Sequence, residues 1–207
     1  MVLRFCWIAL TATCLLMSGS SYAWWMWTPG DHVDDSTQNM FDYGYHPKQP
    51  IDFSHELHAG KREIPCQYCH SAARRSISAG IPSMHTCMGC HQYVRTDKEP
   101  IQFLTQKYQE QDPIRWTKVN DLPDYVRFSH QAHLGAKDHE GKLLLGEDED
   151  QVCIACHGPV KEMTTYAQWT PLQMGWCISC HNQKREPESP GAEPKNFAAV
   201  SCNTCHY

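Results

Sequence analysis

The pentapeptide Cys-x-x-Cys-His occurs five times in this sequence of 207 residues. The copies span Cys66–His70, Cys87–His91, Cys153–His157, Cys177–His181 and Cys202–His206. This pattern is the attachment signature of a c-type haem, in which two thiols reach the vinyl groups on one porphyrin edge and the imidazole binds iron. Five copies predict five covalently bound haem c groups and an interior made largely of porphyrin.

Ten of the twelve cysteines belong to these motifs, and the other two, Cys6 and Cys14, lie in an apolar N-terminal run. The predicted thioether-forming residues are Cys66, Cys69, Cys87, Cys90, Cys153, Cys156, Cys177, Cys180, Cys202 and Cys205. The predicted iron ligands within the motifs are His70, His91, His157, His181 and His206. Paired zinc knuckles would leave one of five units without a partner, and a disulfide framework gives no reason for the histidines.

An uncharged run from Phe5 to Trp27 follows Arg4. It has two interpretations: a signal peptide cleaved after Ser21–Ala23, or a retained helix long enough to cross a hydrocarbon core of about 30 Å. Three tryptophans near its end suit a membrane interface and favour the anchor. We therefore expect residues 1–30 to anchor the chain in the cytoplasmic (inner) membrane. The haem-bearing part would lie on the periplasmic side, because bacteria attach haem c outside the cytoplasm.

An internal repeat organises the polar part of the chain. Ile51–Gly60 matches Val126–Gly135, and each copy precedes a group of haem motifs. The repeat predicts a dihaem module at 45–95 and a trihaem module at 120–207, separated by a linker at 96–119. Within the linker, the apolar spacing predicts a short amphipathic helix that starts at Pro100. The proline-rich segment 187–194 is expected to be irregular surface.

The predicted fold class is mainly irregular with short α-helices, because helix and strand signals are weak after Trp27. Several of the haem motifs are expected to start on short helices, since their spacing matches one helical turn. Mean hydropathy is negative. A bare chain of this composition would not build a sizeable core. We therefore expect the haem-free chain to be unfolded, with ligation and folding coupled as they are for structural metals.

Two histidine pairs occupy the same places in the two repeats and lie three residues apart, so each pair spans one helical turn. They predict four distal haem ligands, His55, His58, His130 and His133. Met174 is the first candidate for the fifth distal ligand, followed by Met163 and His85, although either methionine is equally suited to core packing. The other histidines, His32, His46 and His139, receive no role.

Fully ligated irons leave no open coordination position, which favours electron transfer and predicts no catalytic residue in this chain by itself. The net charge of −5, to which haem propionates would add, argues against nucleic acid as a partner.

Longer stretches of sequence, within and between the haem motifs, carry a resemblance over roughly residues 45–206. They are Ile64–His70, Ala79–Ser83, Cys87–His91, Trp116–Val119, Leu122–Val126, Phe128–His130, Cys156–Val160 and Leu172–Cys177. In these stretches the chain resembles the pentahaem cytochrome c subunit of bacterial alternative complex III, a family itself similar to class III multihaem cytochromes. The distal pairs match the family's Phe-x-His-x-x-His pattern, whereas His85 departs from it. The resemblance implies a class III-like fold with a membrane anchor. It also implies a multispan quinol-binding subunit and an iron–sulfur subunit as partners. Electrons would pass to a monohaem cytochrome c or a terminal oxidase.

Two other functions compete with this quinol-oxidising role. A soluble periplasmic electron shuttle requires removal of the N-terminal segment. A haem enzyme, such as a small nitrite-type reductase, requires a five-coordinate iron, and the many candidate ligands disfavour it.

Overall fold

The computed structural model describes residues 44–138, 140–183 and 199–207. The predicted anchor at 1–30, with Cys6 and Cys14, lies outside these residues, as do His32, His139 and the segment 187–194. None of the helices in the three described ranges combines the length and apolar character that a membrane span needs.

Short helices connected by irregular chain make up the described part. The α-helices are α1 (Cys66–Cys69), α2 (Met84–His91), α3 (Glu99–Gln109), α4 (His130–Leu134), α5 (Glu149–His157), α6 (Met174–Gln183) and α7 (Cys202–Cys205). A π-helix, Glu56–Lys61, precedes α1, and a 3-10 helix, Val160–Glu162, lies between α5 and α6. The described ranges contain no strand, only the isolated bridges Val126–His206 and Lys137–Leu143. The predicted mixture of short helices and irregular chain is confirmed.

Every Cys-x-x-Cys-His motif lies on or at the end of a helix, as its spacing predicts. The helices α1 and α7 are single turns made by the motif, whereas α2, α5 and α6 begin before it. The start of α5 is fixed by Asp148, whose carboxylate accepts the backbone N–H of Gln151 at 2.8 Å. Because positions three apart lie on one side of a helix, the two thiols of each motif point the same way.

The linker forms the predicted amphipathic helix, which begins one residue before Pro100. Proline suits the first turn because its missing N–H would have no partner there. Leu104 is the buried residue of α3, which packs against α2. The helix α3 therefore lies against the helix that carries the second haem motif.

Few side chains are fully buried in the described residues. Met163, Val152 and Gln168 are the largest of them, and a small cluster joins Ala73, Leu134 and Val152. This small number of buried side chains agrees with the composition, from which we expected too few apolar side chains to form a core without haem.

Backbone hydrogen bonds join each repeat to a segment outside it, in the other half of the chain. The N–H groups of His130 and Gln131 donate to the carbonyls of Ile77 and Ser76, both at 3.1 Å. In the opposite direction, Glu56 at the start of the π-helix donates to the carbonyl of Met163 at 2.9 Å. Each repeat therefore uses backbone from the other half of the chain to hold its histidine helix.

Candidate haem sites

Three motif histidines face three repeat histidines. The ring centres are 6.1 Å apart in His58–His91, 6.3 Å in His130–His157 and 6.0 Å in His133–His181. The ring planes differ by 63° in the first pair, 2° in the second and 45° in the third. The structure therefore brings together three of the four predicted distal histidines with motif histidines.

The separation of these rings matches two imidazoles bound to opposite faces of one metal ion. Such rings have centres about 6 Å apart, because each metal–nitrogen bond is about 2 Å long and each ring centre lies about 1 Å beyond its nitrogen. Ordinary aromatic pairs also fall in this range. The distinguishing feature is that each pair joins one motif histidine to one repeat histidine.

The fourth repeat histidine, His55, lies beside the first motif. Its pKa is lowered to about 4, first by burial and then by the neighbouring imidazoles of His70 and His58. His55 and His58 are thus close to different motif histidines, His70 and His91, as the spacing of one helical turn predicts.

The fifth motif histidine, His206, has a different neighbour. Its ring lies 5.9 Å from that of Tyr125, with the planes 25° apart. Among the predicted fifth ligands, Met174 is 64% exposed at the start of α6, and Met163 is buried beneath the π-helix. His85 lies on α2, with Nδ1 3.2 Å from the Tyr108 hydroxyl. The assignment of Met174 stays a prediction.

Backbone carbonyls hold the Nδ1 atoms of six predicted ligands at 2.6–3.0 Å. The pairs are His58–Ser54, His70–Gly80, His91–Val94, His130–Ile77, His133–Ser129 and His181–Ala199. Donation of the Nδ1 hydrogen fixes the tautomer and leaves Nε2 with a free lone pair, which is the usual outer support of a metal-bound imidazole. The residues therefore fit a haem iron on Nε2. His46 makes a similar bond to Gly44, so the bond alone does not identify a ligand.

Burial favours the neutral form of two predicted ligand imidazoles, which is the form that iron binding requires. The pKa of His157 is lowered to about 4 by burial and by the imidazoles of His130 and His70. The pKa of His133 is also lowered, chiefly by burial, although its bond to the Ser129 carbonyl opposes the shift.

His157 is supported by a side chain instead of a carbonyl. Its Nδ1 lies 2.6 Å from the hydroxyl of Tyr166, which also accepts a hydrogen bond from the amide of Asn120. Burial raises the pKa of Tyr166 to about 12. Sequence reasoning missed both residues, since neither belongs to a motif or to the repeat.

The thiols show which motifs are neighbours. Cys66 donates to the Asp150 carboxylate at 3.3 Å and lies beside Cys153, whose contact raises its pKa. Burial, followed by the nearby Cys87 and Cys90, raises the pKa of Cys69.

Further along, burial raises the pKa of Cys156 to about 11, with smaller contributions from Cys180 and Cys177. The pKa of Cys177 is raised by burial and then by Cys205. The fifth motif is also joined to the entry of the second repeat, where the Arg127 N–H donates to the Cys205 carbonyl at 2.7 Å.

Five thiol pairs on helices, each followed by a histidine and four of them near a repeat histidine, define the class of multihaem c-type cytochromes. No family model matches the chain. It is 30% identical over 146 residues to the multihaem cytochrome c subunit of menaquinone reductase from Nitratidesulfovibrio vulgaris. That match covers 65% of this chain and 68% of the relative. The chain belongs to this family of multihaem cytochrome c subunits.

Proposed function

We propose that this chain is a pentahaem c-type cytochrome that carries electrons for a quinone-reactive complex of the cytoplasmic membrane. The observation that carries the proposal is the set of three facing histidine pairs, each with ring centres 6.0–6.3 Å apart. A haem bound in each pair supplies one-electron exchange between ferric and ferrous iron. The protein's part is to attach, orient and insulate five such groups.

The neighbour relations of the motifs support a single order of sites. Motifs one and two share the π-helix and its preceding residue through His55 and His58, and motifs three and four share α4 through His130 and His133. The contact of Cys66 with Asp150 of α5 joins motif one to motif three. The nearness of Cys177 to Cys205 joins motif four to motif five. The proposed order is two, one, three, four, five, so the second and fifth sites are the ends.

The sequence resemblance supports a complex of the alternative complex III type. In that arrangement a multispan subunit oxidises quinol, and an iron–sulfur subunit and this cytochrome pass electrons to a monohaem cytochrome c or a terminal oxidase. The N-terminal residues 1–30 would hold the chain in the inner membrane with its haems on the periplasmic side. The chain would then be an electron-transfer subunit with no catalysis of its own.

The name of the relative favours a second candidate, in which electrons run towards the quinone. That protein is a subunit of a menaquinone reductase. The same row of haems serves either direction, because the direction depends on the potentials of the partners and not on the attachment motifs.

Purification from membranes in mild detergent tests the proposal. We expect five haems per chain in the pyridine haemochrome assay and co-purification with a multispan subunit. A chain with zinc or fewer than five haems, or one recovered alone from the soluble fraction, would contradict it. With the intact complex, reduction of the haems by a quinol analogue supports the oxidising role. If a menaquinone analogue oxidises dithionite-reduced haems but a quinol analogue does not reduce oxidised haems, the second candidate is supported.

A further inference from the structure

The hydrogen bond on His157 sets the third site apart from its neighbours. The Tyr166 hydroxyl lies 2.6 Å from its Nδ1, whereas six other predicted ligands use backbone carbonyls. The Asn120 amide donates to the same hydroxyl oxygen and lies 3.4 Å from Nδ1 of His157. With iron on Nε2, Nδ1 of His157 carries the hydrogen, so the phenol oxygen would accept from two donors.

We propose that Tyr166 and Asn120 are positioning residues that raise the reduction potential of the iron held by His157 and His130, an inference that rests on the proposed binding of five haems. An Nδ1–H group that donates to a strong acceptor gains negative charge on its ring and stabilises ferric iron. A phenol oxygen is a weaker acceptor than an amide carbonyl, and here it already accepts from Asn120. The imidazole of His157 therefore stabilises ferric iron less than its neighbours do.

Tyr166 also lies between two of the predicted haem sites. Its ring centre lies 5.3 Å from that of His55 and 6.2 Å from that of His157, so it stands between the first and third sites. The third site is the middle one in the proposed order. If its potential is raised, the third iron would be reduced in preference to its neighbours, between the two halves of the chain.

The geometry also offers a way to observe this one iron among five. The planes of His130 and His157 differ by 2°, against 63° and 45° in the other two measured pairs. The angle between two axial imidazoles controls the splitting of the iron d orbitals, so the ferric electron paramagnetic resonance signal of the parallel pair should differ from those of the other two measured pairs. A redox titration that follows this signal reports the potential of the third site.

Two variants on one hydrogen bond should shift this potential in opposite directions. Asn120→Leu removes one donor from the Tyr166 oxygen, which becomes a better acceptor for His157, so the potential falls. The double variant Tyr166→Phe with Asn120→Leu removes the phenol oxygen and also the amide, whose oxygen could otherwise turn towards His157, so the potential rises. We expect each change to be roughly tenfold in the equilibrium constant for reduction, about 59 mV for a one-electron couple. If leucine prevents maturation, Asn120→Ala removes the same donor with less bulk.

Tyr93→Phe is the control, because Tyr93 is 81% exposed and its hydroxyl is in no contact with these histidines. Unchanged potentials in the variants, or shifts of the same sign, would overturn the inference even with five haems present. A wild-type haem count below five would instead overturn the proposed function. The two failures are therefore distinguishable in one preparation.

Discussion

The two copies of the repeat build the same histidine arrangement on different helices. Phe53 stacks on His58 at 4.4 Å, and Phe128 stacks on His133 at 4.5 Å. In each copy the second histidine also bonds a serine carbonyl four residues earlier, at 2.8 Å. Yet the first copy is a π-helix that begins after its first histidine, and the second is an α-helix that begins at it.

The two copies differ in the hydrogen bonding of their first histidine. Nδ1 of His130 is 2.9 Å from the Ile77 carbonyl, whereas buried Nδ1 of His55 finds no hydrogen-bond partner among the described residues. The repeat sequence thus determines the histidine spacing and the phenylalanine stack. Support for the first histidine comes from outside the repeat, so the two copies are not equivalent as ligand holders.

The largest effect is expected when the haem attachment sites that follow one copy of the repeat are removed, one group at a time. Cysteine-to-alanine changes at Cys66, Cys69, Cys87 and Cys90 should unfold the whole chain, and changes at the six remaining motif cysteines should do the same. Each copy is hydrogen-bonded to backbone in the other half of the chain. Haem ligation is expected to supply much of the folding free energy of about 5–15 kcal/mol. Circular dichroism during heating measures this. A cooperative transition that survives in either variant would show two independent modules.

The next largest effect should be a difference in the rate of ligand exchange between the His55 site and the His130 site. His55 lacks the carbonyl bond of His130, so its imidazole is less firmly oriented towards iron. Carbon monoxide added to the reduced protein should therefore bind first at the His55 site. His55→Ala opens this coordination position, so slow displacement of the imidazole should be replaced by rapid carbon monoxide binding. His130→Ala should leave the His55-dependent phase in place and add a rapid phase at its own site. His46→Ala provides the control. Simultaneous binding at both sites, or binding first at the His130 site, would contradict the expectation.

The sequence predicted the parts of these sites that repeat. Motif spacing indicated five attachment points and short helices at several of them. The paired histidines indicated the ligands that the structure places near motif histidines. It did not predict Tyr166, Asn120 or the carbonyl of Ile77. Those groups lie 9, 37 and 53 residues from the histidines they contact, and such long-range contacts leave no local pattern. The small core cluster was also not predicted, because its residues, Ala73, Leu134 and Val152, come from three separate segments of the chain.

Equivalent glycines offer a smaller test. Gly60 and Gly135 end the two copies, and a methyl group on Gly60 would clash with the carbonyl oxygen of Lys161. At Gly135 the nearest atom, the Gln131 carbonyl oxygen, would be 3.0 Å away. We expect Gly60→Ala to lower the free energy of unfolding by about 1–3 kcal/mol, as overpacking does. Gly135→Ala should cost less. Thermal unfolding of both holoproteins measures the difference, and equal losses would show that the π-helix can move away from the 3-10 helix.

The smallest expected effect concerns the serines that begin the two copies. The Ser54 hydroxyl accepts the Leu57 N–H at 3.1 Å, and the Ser129 hydroxyl accepts the Ala132 N–H at 3.3 Å. Alanine at either position removes a capping bond worth about 1 kcal/mol but keeps the carbonyl that holds the second histidine. We expect melting temperatures to fall by about 2–4 °C in each variant. The exposed Gln131→Ala change serves as control. A larger loss at Ser54 would show that the π-helix depends on its cap more than α4 does. The reason would be that the backbone hydrogen bonds of a wider helical turn are weaker and compensate less for the lost capping bond.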